Sequence, residues 1–229
     1  MGCLSREVTG TLRVGLMPSF TRSALAPVLD GFARTYPRVE IAVIEAYSAA
    51  LVELAARAEI DFAIVPEAPV PPEVRAHRLA RDDEYLVTRA GGGRPHLSPV
   101  RLDALGPLSL VVPTAANARR ASIDRAIRES GAAVARLVEL DAMMGTLDLV
   151  ARSAFVAILP GVIVASDRDG ALRSLHPVAS PAMSLAYMRI EPATRALSRP
   201  ARIFADALAG EIETVIGDMR RTVEAAASP

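Results

Sequence analysis

Residues 10–46 read GTLRVGLMPSFTRSALAPVLDGFARTYPRVEIAVIEA and decide the fold class. Apolar residues alternate with polar or small ones over residues 11–17, which predicts a β-strand that stops at Pro18. Over residues 21–36 apolar side chains recur at spacings of three and four, which predicts an amphipathic helix. Residues 39–46 form a second predicted strand, rich in β-branched residues. Strands that alternate with helices in this way are typical of a mostly parallel α/β sheet.

The same pattern continues along the chain. A helix that starts at Tyr47 or Ser48 leads to a short apolar strand over residues 61–65. After a proline-rich stretch, two strands follow each other without a helix between them, over residues 75–80 and 84–89. This break in the alternation predicts that the chain crosses there into a second lobe.

A second series of three strands and two helices follows a glycine-rich loop. Its predicted elements are strand 108–112, helix 117–130, strand 134–140, helix 143–152 and strand 155–159, and later come strand 183–190 and helix 197–221. The sequence thus predicts an α/β protein of two doubly wound subdomains joined by a hinge. The predicted divisions are a disordered start over residues 1–9, lobe 1 over 10–82 plus 184–221, lobe 2 over 83–183 and a tail over 222–229.

Charge and composition exclude several classes of protein. The 229 residues carry 26 basic and 26 acidic side chains, so there is no excess positive charge of the kind that drives binding to nucleic acid. All the basic residues are arginines, and without lysine the chain lacks both the Walker A phosphate loop and Schiff-base chemistry. The sequence also shows no secretion signal or membrane span, so we expect a cytoplasmic protein.

Metal and cofactor sites have no support in the sequence. The single cysteine, Cys3, lies in the start segment and is predicted to be a disordered thiol. His77, His96 and His176 do not have metal-ligand spacing, so we interpret them as surface or packing residues. We therefore expect no metal, no cofactor and no catalytic nucleophile.

Five segments in order resemble the effector-binding domain of LysR-type transcriptional regulators. They are G-T-L-R-V-G at 10–15, L-D-G-F-A-R-T-Y-P at 29–37, D-F-A-I-V at 61–65, L-D-L-V at 147–150 and V-A-I-L-P at 156–160. The sequence departs from the family where glycines usually stand, at Ala58, Ser153 and Phe155. A residue other than glycine in a left-handed turn costs roughly 1 kcal/mol, so we expect local rearrangement at these turns.

The resemblance implies a type 2 periplasmic-binding-protein-like fold and a sensing function. Members of this family bind a small effector between two lobes and switch transcription, without being enzymes. They form dimers of this domain and tetramers at full length, and they act on promoter DNA and RNA polymerase through a winged helix-turn-helix, which we expect to be absent from this chain. Two alternatives stay open: a periplasmic-type solute-binding protein for a small acid, and an enzyme of small acids on the same fold.

The carboxyl ends of the strands are the predicted ligand site. Ligands of open α/β sheets bind there, and the helices that start at this edge favour a carboxylate or another anion. The candidate residues are Ser19, Phe20, Thr21, Tyr47, Ser48, Pro66, Thr114, Arg119, Arg120, Met144, Thr146 and Leu159.

Each candidate also has a structural interpretation. The Ser19 hydroxyl with the N–H groups of Phe20 and Thr21 is predicted to grip an oxyanion, or else Ser19 only caps its helix. Arg119 or Arg120 is predicted to clamp a carboxylate, or else to be a solvated surface residue.

The remaining candidates divide in the same way. Tyr47 is predicted either to stack on a ligand or to be a partly buried packing residue. Met143 and Met144 are predicted either to form an apolar wall of the site or to fill the core. The hydroxyls of Thr114 and Thr146 contact the ligand or cap helices.

Overall fold

The computed structural model describes residues 8–115 and 117–227. Residues 1–7, which include Cys3, lie outside this part of the chain. They belong to the start segment that was predicted to be disordered. The strands and helices are, in order, β1 (Gly10–Leu16), α1 (Pro18–Ser23), α2 (Leu25–Thr35), β2 (Val39–Glu45), α3 (Ser48–Ala56), β3 (Phe62–Pro66), β4 (Val74–Arg89), β5 (Val100–Arg101), β6 (Leu108–Val112), α4 (Arg120–Ser130), β7 (Val134–Glu139), α5 (Met143–Arg152), β8 (Phe155–Pro160), α6 (Gly161–Val164), β9 (Arg173–Ser180), β10 (Ser184–Pro192) and α7 (Arg199–Ala227).

The chain divides into two compact units. The first contains the residues up to Ala80 together with Tyr187–Glu213, and the second contains Arg81–Ala186 together with the residues from Thr214 on. Strands β4 and β10 and helix α7 therefore each begin in one unit and end in the other. The assignment of residues to two lobes that function as such stays a prediction.

The first unit is built on a sheet with the strand order β2-β1-β3-β10. Strand β1 is parallel to both β2 and β3, and β10 runs antiparallel to β3. Gly15 stands where α3 packs against β1, because a Cβ atom there would lie 2.6 Å from Leu51 Cδ2. Phe20 meets Tyr187 edge to face at 4.9 Å in the buried interior of this unit.

The second unit repeats the same arrangement of parallel strands. Strand β6 is parallel to β7 on one side and to β8 on the other, and β4 runs antiparallel to β8. Strand β9 continues the sheet next to β4, and β5 pairs with β9. Buried apolar residues of β4, β6, β8 and α4 form the core here: Leu86, Leu110, Val112, Ile158 and Ile123. The predicted doubly wound α/β fold is confirmed in both units.

Three predicted helix boundaries are wrong. The predicted helix over residues 21–36 is two helices, because the ring of Pro27 is incompatible with a continuous turn at Ser23, where α1 ends. Helix α4 begins at Arg120 rather than residue 117, since the Asn117 side chain accepts the Arg119 N–H at 3.0 Å in a preceding turn. Helix α7 extends to Ala227, so the predicted tail over residues 222–229 is helical as far as that residue.

One strand prediction is also wrong, and three elements were not predicted. The segments 75–80 and 84–89 form one strand, β4, because the polar residues between them have partners inside the protein. Strand β9 was not predicted, since Pro177 interrupts a short run of apolar residues and proline is rare inside sheets. Strand β5 and the single-turn helix α6 were too short to give a periodic signal.

The turns that lack the family's glycines are built in two ways. Ala58 keeps the left-handed conformation, with φ of 54°, so the rearrangement expected at this position does not occur. Ser153 is extended instead, with φ of −143°. Its hydroxyl donates to the Leu149 carbonyl at 2.6 Å and accepts the Phe155 N–H at 3.1 Å. A side chain therefore closes the end of α5 without a left-handed residue.

Ala58→Gly is expected to stabilise the protein by about 0.5–1 kcal/mol, because glycine removes the cost of the left-handed conformation and loses only part of this gain to chain entropy. Urea unfolding measures the change. Ala50→Gly, at an exposed position inside α3, is the control and should destabilise by about 0.5–1 kcal/mol. Equal losses for the two variants would contradict this account of the turn.

Candidate functional site

In the first unit three parallel strands end at one edge of the sheet. Leu16, at the end of β1, is in register with Glu45 at the end of β2 and with Ile64 near the end of β3. The segments that follow these strands carry six of the predicted site residues, Ser19, Phe20, Thr21, Tyr47, Ser48 and Pro66. The structure thus places all six near the carboxyl ends of the strands.

The turn after β1 does not have the oxyanion geometry predicted for it. Met17, not Ser19, is the N-cap residue of α1, so the capping interpretation of Ser19 is wrong. The N–H groups of Phe20 and Thr21 already donate to the Met17 carbonyl, at 2.9 and 3.3 Å. Ser19 and Phe20 are buried, and the Thr21 hydroxyl donates to the Pro18 carbonyl at 3.1 Å and to the Glu45 carboxylate. An anion at this turn would have to displace internal hydrogen bonds.

The start of α3 retains the features of an anion site. Tyr47 is the N-cap residue, in extended conformation, and no side chain caps the helix. The first N–H groups of a helix have no acceptor within the helix, and they lie at the positive end of its dipole. Tyr47 and Ser48 are half-buried. The structure therefore favours this position over the turn after β1, whereas Pro66 is buried at the end of β3.

The second unit has a corresponding edge, where β6 lies between β7 and β8. Thr114, which follows β6, donates its N–H at 3.1 Å and its hydroxyl to the carboxylate of Asp141, which follows β7. Thr114 does not cap α4, whose N-cap residue is Arg119. Asp141 is a polar residue of this edge that sequence reasoning missed, although its position directly after a predicted strand was a usable signal.

Arg119 is buried in an ion pair. Its Nη2 and Nε donate to Glu84 Oε1 at 2.7 and 3.2 Å, and Nη2 also donates to the Ile158 carbonyl at 3.0 Å. Only 6% of the Arg119 side chain and 2% of the Glu84 side chain are exposed. The interpretation of Arg119 as a solvated surface residue is therefore wrong. To clamp a ligand, this guanidinium would have to leave Glu84.

Arg120 is also bound internally. Its Nε lies 2.9 Å from both carboxylate oxygens of Asp124, and its Nη1 donates to Glu139 at 2.6 Å and to the Pro113 carbonyl at 2.9 Å. The hydrogen bond to Glu139, followed by the one to Asp124, raises the pKa of Arg120 above its ordinary value. This side chain ties the start of α4 to the end of β7.

The three remaining candidates differ in exposure. Met144 is 60% exposed in the first turn of α5, so the prediction that it fills the core is wrong. Thr146 is buried one turn into α5 and is not its N-cap, which is Ala142. Leu159 is buried in β8. Of the three, Met144 alone presents its side chain to solvent.

Three consecutive acids at the start of the second unit bind three different helices. Asp82 Oδ2 accepts the Val162 N–H of α6 at 2.7 Å, and Glu84 binds Arg119 next to α4. Asp83 Oδ2 accepts from Arg220 Nε of α7 at 2.9 Å. We name Asp82, Asp83 and Glu84 the acidic triplet. Sequence reasoning missed it, although three charges inside a strand pattern indicate internal partners.

Charge in the acidic triplet is not balanced. Glu84 Oε2 is buried and has no hydrogen-bond partner among residues 8–115 and 117–227. Burial, the dominant cause, raises the pKa of Asp82 to about 7; the Val162 N–H opposes this rise, and the charge of Asp83 adds to it. The same burial raises the pKa of the Tyr85 phenol.

The histidines behave as packing and surface residues. His176 is fully buried, with Nε2 3.3 Å from the Thr88 hydroxyl and Nδ1 3.3 Å from the Ser98 carbonyl. Burial lowers the pKa of His176 to about 4. Nowhere in the described ranges do three His, Cys, Asp or Glu side chains cluster closely enough to hold a metal ion. No helix there is long and apolar enough to cross a membrane.

A family model described as the LysR substrate binding domain matches residues 5–213. The predicted family is thereby confirmed, and the match favours a regulatory domain over the solute-binding alternative. The family is one of regulatory effector-binding domains and not a known enzyme family.

Solved structures of the same kind share the fold. A mutant of Corynebacterium glutamicum OxyR superimposes with a TM-score of 0.75 at 17% identity, covering 96% of this chain and 69% of its own. The Synechocystis CcmR regulatory domain in complex with 2-PG gives a TM-score of 0.75 at 16% identity, and the match covers 88% of this chain and 97% of the CcmR chain. The BenM effector binding domain with its effector benzoate gives a TM-score of 0.69 at 15% identity, and the match covers 96% of this chain and 95% of the BenM chain. At these identities the likeness concerns the fold alone.

Glu84→Gln is expected to destabilise the protein by about 3 kcal/mol, because it leaves the Arg119 guanidinium buried without a negative partner. Denaturant unfolding measures the loss. The double variant Glu84→Leu/Arg119→Met replaces both charges by apolar groups and should recover most of it. Similar losses in the single and double variants would show that the burial of unpaired charge is not the cause.

The contribution of His176 to stability is expected to fall on acidification from about pH 6.5 to about pH 4. Its folded-state pKa of about 4 lies below the ordinary value of 6.5, so the unfolded chain binds the proton first. The stabilisation by His176 is fully present above pH 6.5 and is lost as the pH falls through this window, with a magnitude on the order of 3 kcal/mol.

His176→Gln should remove this part of the loss of stability on acidification, as measured by denaturant unfolding at several pH values. His77→Gln, a change at an exposed histidine of the first unit, should leave it in place. An unchanged acid loss in His176→Gln would refute the assignment.

Proposed function

This chain belongs to the family of LysR substrate-binding domains, and from that premise we propose that it senses a small anion for a DNA-binding transcriptional regulator. The observation that carries the proposal is the start of α3, where no side chain caps the helix and the positive end of its dipole lies at a sheet edge. The rest of the edge supplies hydroxyl groups and one aromatic ring, which suit a small acid.

The ligands of related proteins have the chemistry proposed here. The BenM domain was solved with benzoate, a carboxylate, and the Vibrio vulnificus OxyR2 domain was solved with sulfate bound. We infer that an anion also occupies the site in this chain. The identity of its organic part is left open by the residues that line the edge, because hydroxyl and aromatic groups accept several kinds of acid.

Thr21 and Tyr47 are proposed to complete the site in the first unit, whereas Ser19 is buried. The Thr21 hydroxyl already binds the Glu45 carboxylate, so a ligand that reaches Thr21 must also meet this negative charge. That arrangement favours a ligand with its acid group at α3 and a hydrogen-bond donor towards Glu45. Among the candidates of the second unit, Met144 is the one whose side chain is exposed, whereas the others are bound internally or buried: Thr114, Arg119, Arg120, Thr146 and Leu159.

The proposed mechanism is a shift in population. A ligand that binds one conformation of the domain more tightly than another changes the balance between them, and it needs no chemical reaction to do so. We propose that the domain acts as a homo-oligomer in the cytoplasm, as a dimer that forms tetramers in the full-length regulator. The response would reach promoter DNA and RNA polymerase through the DNA-binding part of that regulator.

Ser48→Pro is expected to weaken the binding of the anion about tenfold, because proline removes one N–H donor to a charged group. Proline is tolerated at the first position of a helix, and Tyr47 already has the extended conformation required before it, with ψ of 163°. The folded structure should therefore be retained.

The test begins with a thermal-shift screen of benzoate, sulfate and a panel of small carboxylic acids, followed by calorimetry of those that stabilise the protein. Ser48→Ala is the matched control, since it removes the hydroxyl and keeps the N–H, and it should weaken binding much less. Equal affinities for Ser48→Pro and the unchanged protein would place the anion elsewhere and remove the main support for the proposal.

A further inference from the structure

We propose that the Asp82 carboxyl group gains or loses a proton within the neutral pH range, and that this change makes the second unit sensitive to pH. Protons would then be a second input to a domain that senses a small molecule. The proposal concerns residues of the second unit alone and does not rest on the identity of the effector or on its binding.

Close packing isolates the Asp82 carboxyl from solvent. The residue is 1% exposed. A Cβ atom on Gly161 would lie 2.7 Å from Asp82 Oδ1 and 3.0 Å from Tyr85 Cε2, so the backbone of α6 and an aromatic ring press against the carboxyl group. Only a residue without a side chain fits at position 161. A charge in this position has lost most of its hydration, and the neutral acid is correspondingly favoured.

The partners of Asp82 compensate this loss only in part. The Val162 N–H, at 2.7 Å, is the donor that α6 supplies to the carboxylate. Within β4, the charges of Asp83 and Glu84 oppose ionisation of Asp82, and the Tyr85 phenol supplies no positive charge. From α7, Arg220 lies within electrostatic range of Asp82, but its guanidinium donates to Asp83 and to the Arg81 carbonyl.

Counting charges leads to the same residue. The acidic triplet has three carboxyl groups and two guanidinium partners, Arg119 at Glu84 and Arg220 at Asp83. Asp82 forms no ion pair within 4.0 Å in the part of the chain that the structure describes, so it is the member that carries the proton. Burial, opposed by the Val162 N–H, raises the pKa of Asp82 from 3.8 to about 7, which agrees with the geometry.

The linked effect on stability has a defined sign. Because the folded-state pKa is above the unfolded value, the folded protein holds a proton that the unfolded chain has already released between about pH 4 and pH 7. The stabilisation is complete below pH 4 and is lost as the pH rises through this range. One proton corresponds to a change of up to about tenfold in the unfolding equilibrium constant for each pH unit.

Protonation of Asp82 acts at the edge that carries the candidate site of the second unit. Helix α6, which Asp82 binds, directly follows β8, and Leu159 lies near the end of that strand. The neutral acid and the carboxylate hold the Val162 N–H with different strength, since hydrogen bonds to ionised acceptors are the stronger kind. The proton on Asp82 therefore sets how firmly α6 is attached to β4.

The test compares urea unfolding of the unchanged protein, Asp82→Asn and Asp83→Asn between pH 5 and 8.5. The unfolding equilibrium constant of the unchanged protein is divided by that of Asp82→Asn at each pH. This ratio should rise by up to about tenfold per pH unit below pH 7 and should level off above pH 8. His176 is present in both proteins, so its opposite effect cancels in the ratio. Asp83→Asn, a comparison at the half-exposed neighbouring acid, should keep a pH dependence of the same sign with its midpoint moved to lower pH, because the loss of the Asp83 charge makes ionisation of Asp82 easier.

A pH-independent ratio for Asp82→Asn would overturn the proposal. Carbon-13 NMR of the aspartate carboxyl groups in the unchanged protein gives a second test that does not depend on whether a variant folds. The Asp82 signal, assigned through its own backbone, should titrate with a midpoint near pH 7. A midpoint below pH 5 would show that Asp82 is an ordinary carboxylate and would also overturn the proposal.

Discussion

The acidic triplet of β4 is the constraint on which the second unit depends. The buried carboxyl groups of Asp82 and Glu84 must be protonated or bound to donors, whereas Asp83 is half-exposed. Each of the three finds its partner on a different segment: α6 for Asp82, α7 for Asp83 and the residue before α4 for Glu84. Strand β4 enters this unit immediately before the triplet, at Arg81. The partners fix the positions of three helices relative to a single strand. Apolar packing beneath them, around Leu86 and Ile158, is less directional and would tolerate small shifts in those helices.

Most of the fold could be predicted because its elements follow a regular spacing of apolar residues. Strand β6 and helix α5 were predicted with the bounds that the structure has, since their apolar patterns begin and end sharply. Predictions failed where a distant partner or a local steric effect decided the structure. Strand β4 looked broken in the sequence because its acids have partners up to 137 residues away. The split between α1 and α2 follows from Pro27. A proline inside an amphipathic pattern indicates a break in the helix, but the prediction relied on the periodicity of the apolar residues instead.

The positions of the candidate residues in the fold could be predicted from the sequence, but their hydrogen bonds could not. The rule that ligands bind at the carboxyl ends of parallel strands placed every candidate near such an edge of its own unit. It could not reveal that the Phe20 and Thr21 N–H groups donate to Met17, or that Arg119 pairs with Glu84, 35 residues earlier. Such pairings depend on side-chain direction in the folded sheet, which sequence spacing does not encode. The structure consequently shifts the expected anion contact from α1 to α3, where no side chain caps the helix.

The central claim is that a small acid binds at the start of α3. Chemical-shift mapping of the nitrogen-15-labelled chain, titrated with each acid that stabilises it, tests this claim most directly. The account predicts that the largest amide shifts occur at Ser48 and Ala49, because these N–H groups would donate to the bound anion. Saturable shifts confined to other parts of the chain, with Ser48 and Ala49 unchanged, would contradict it.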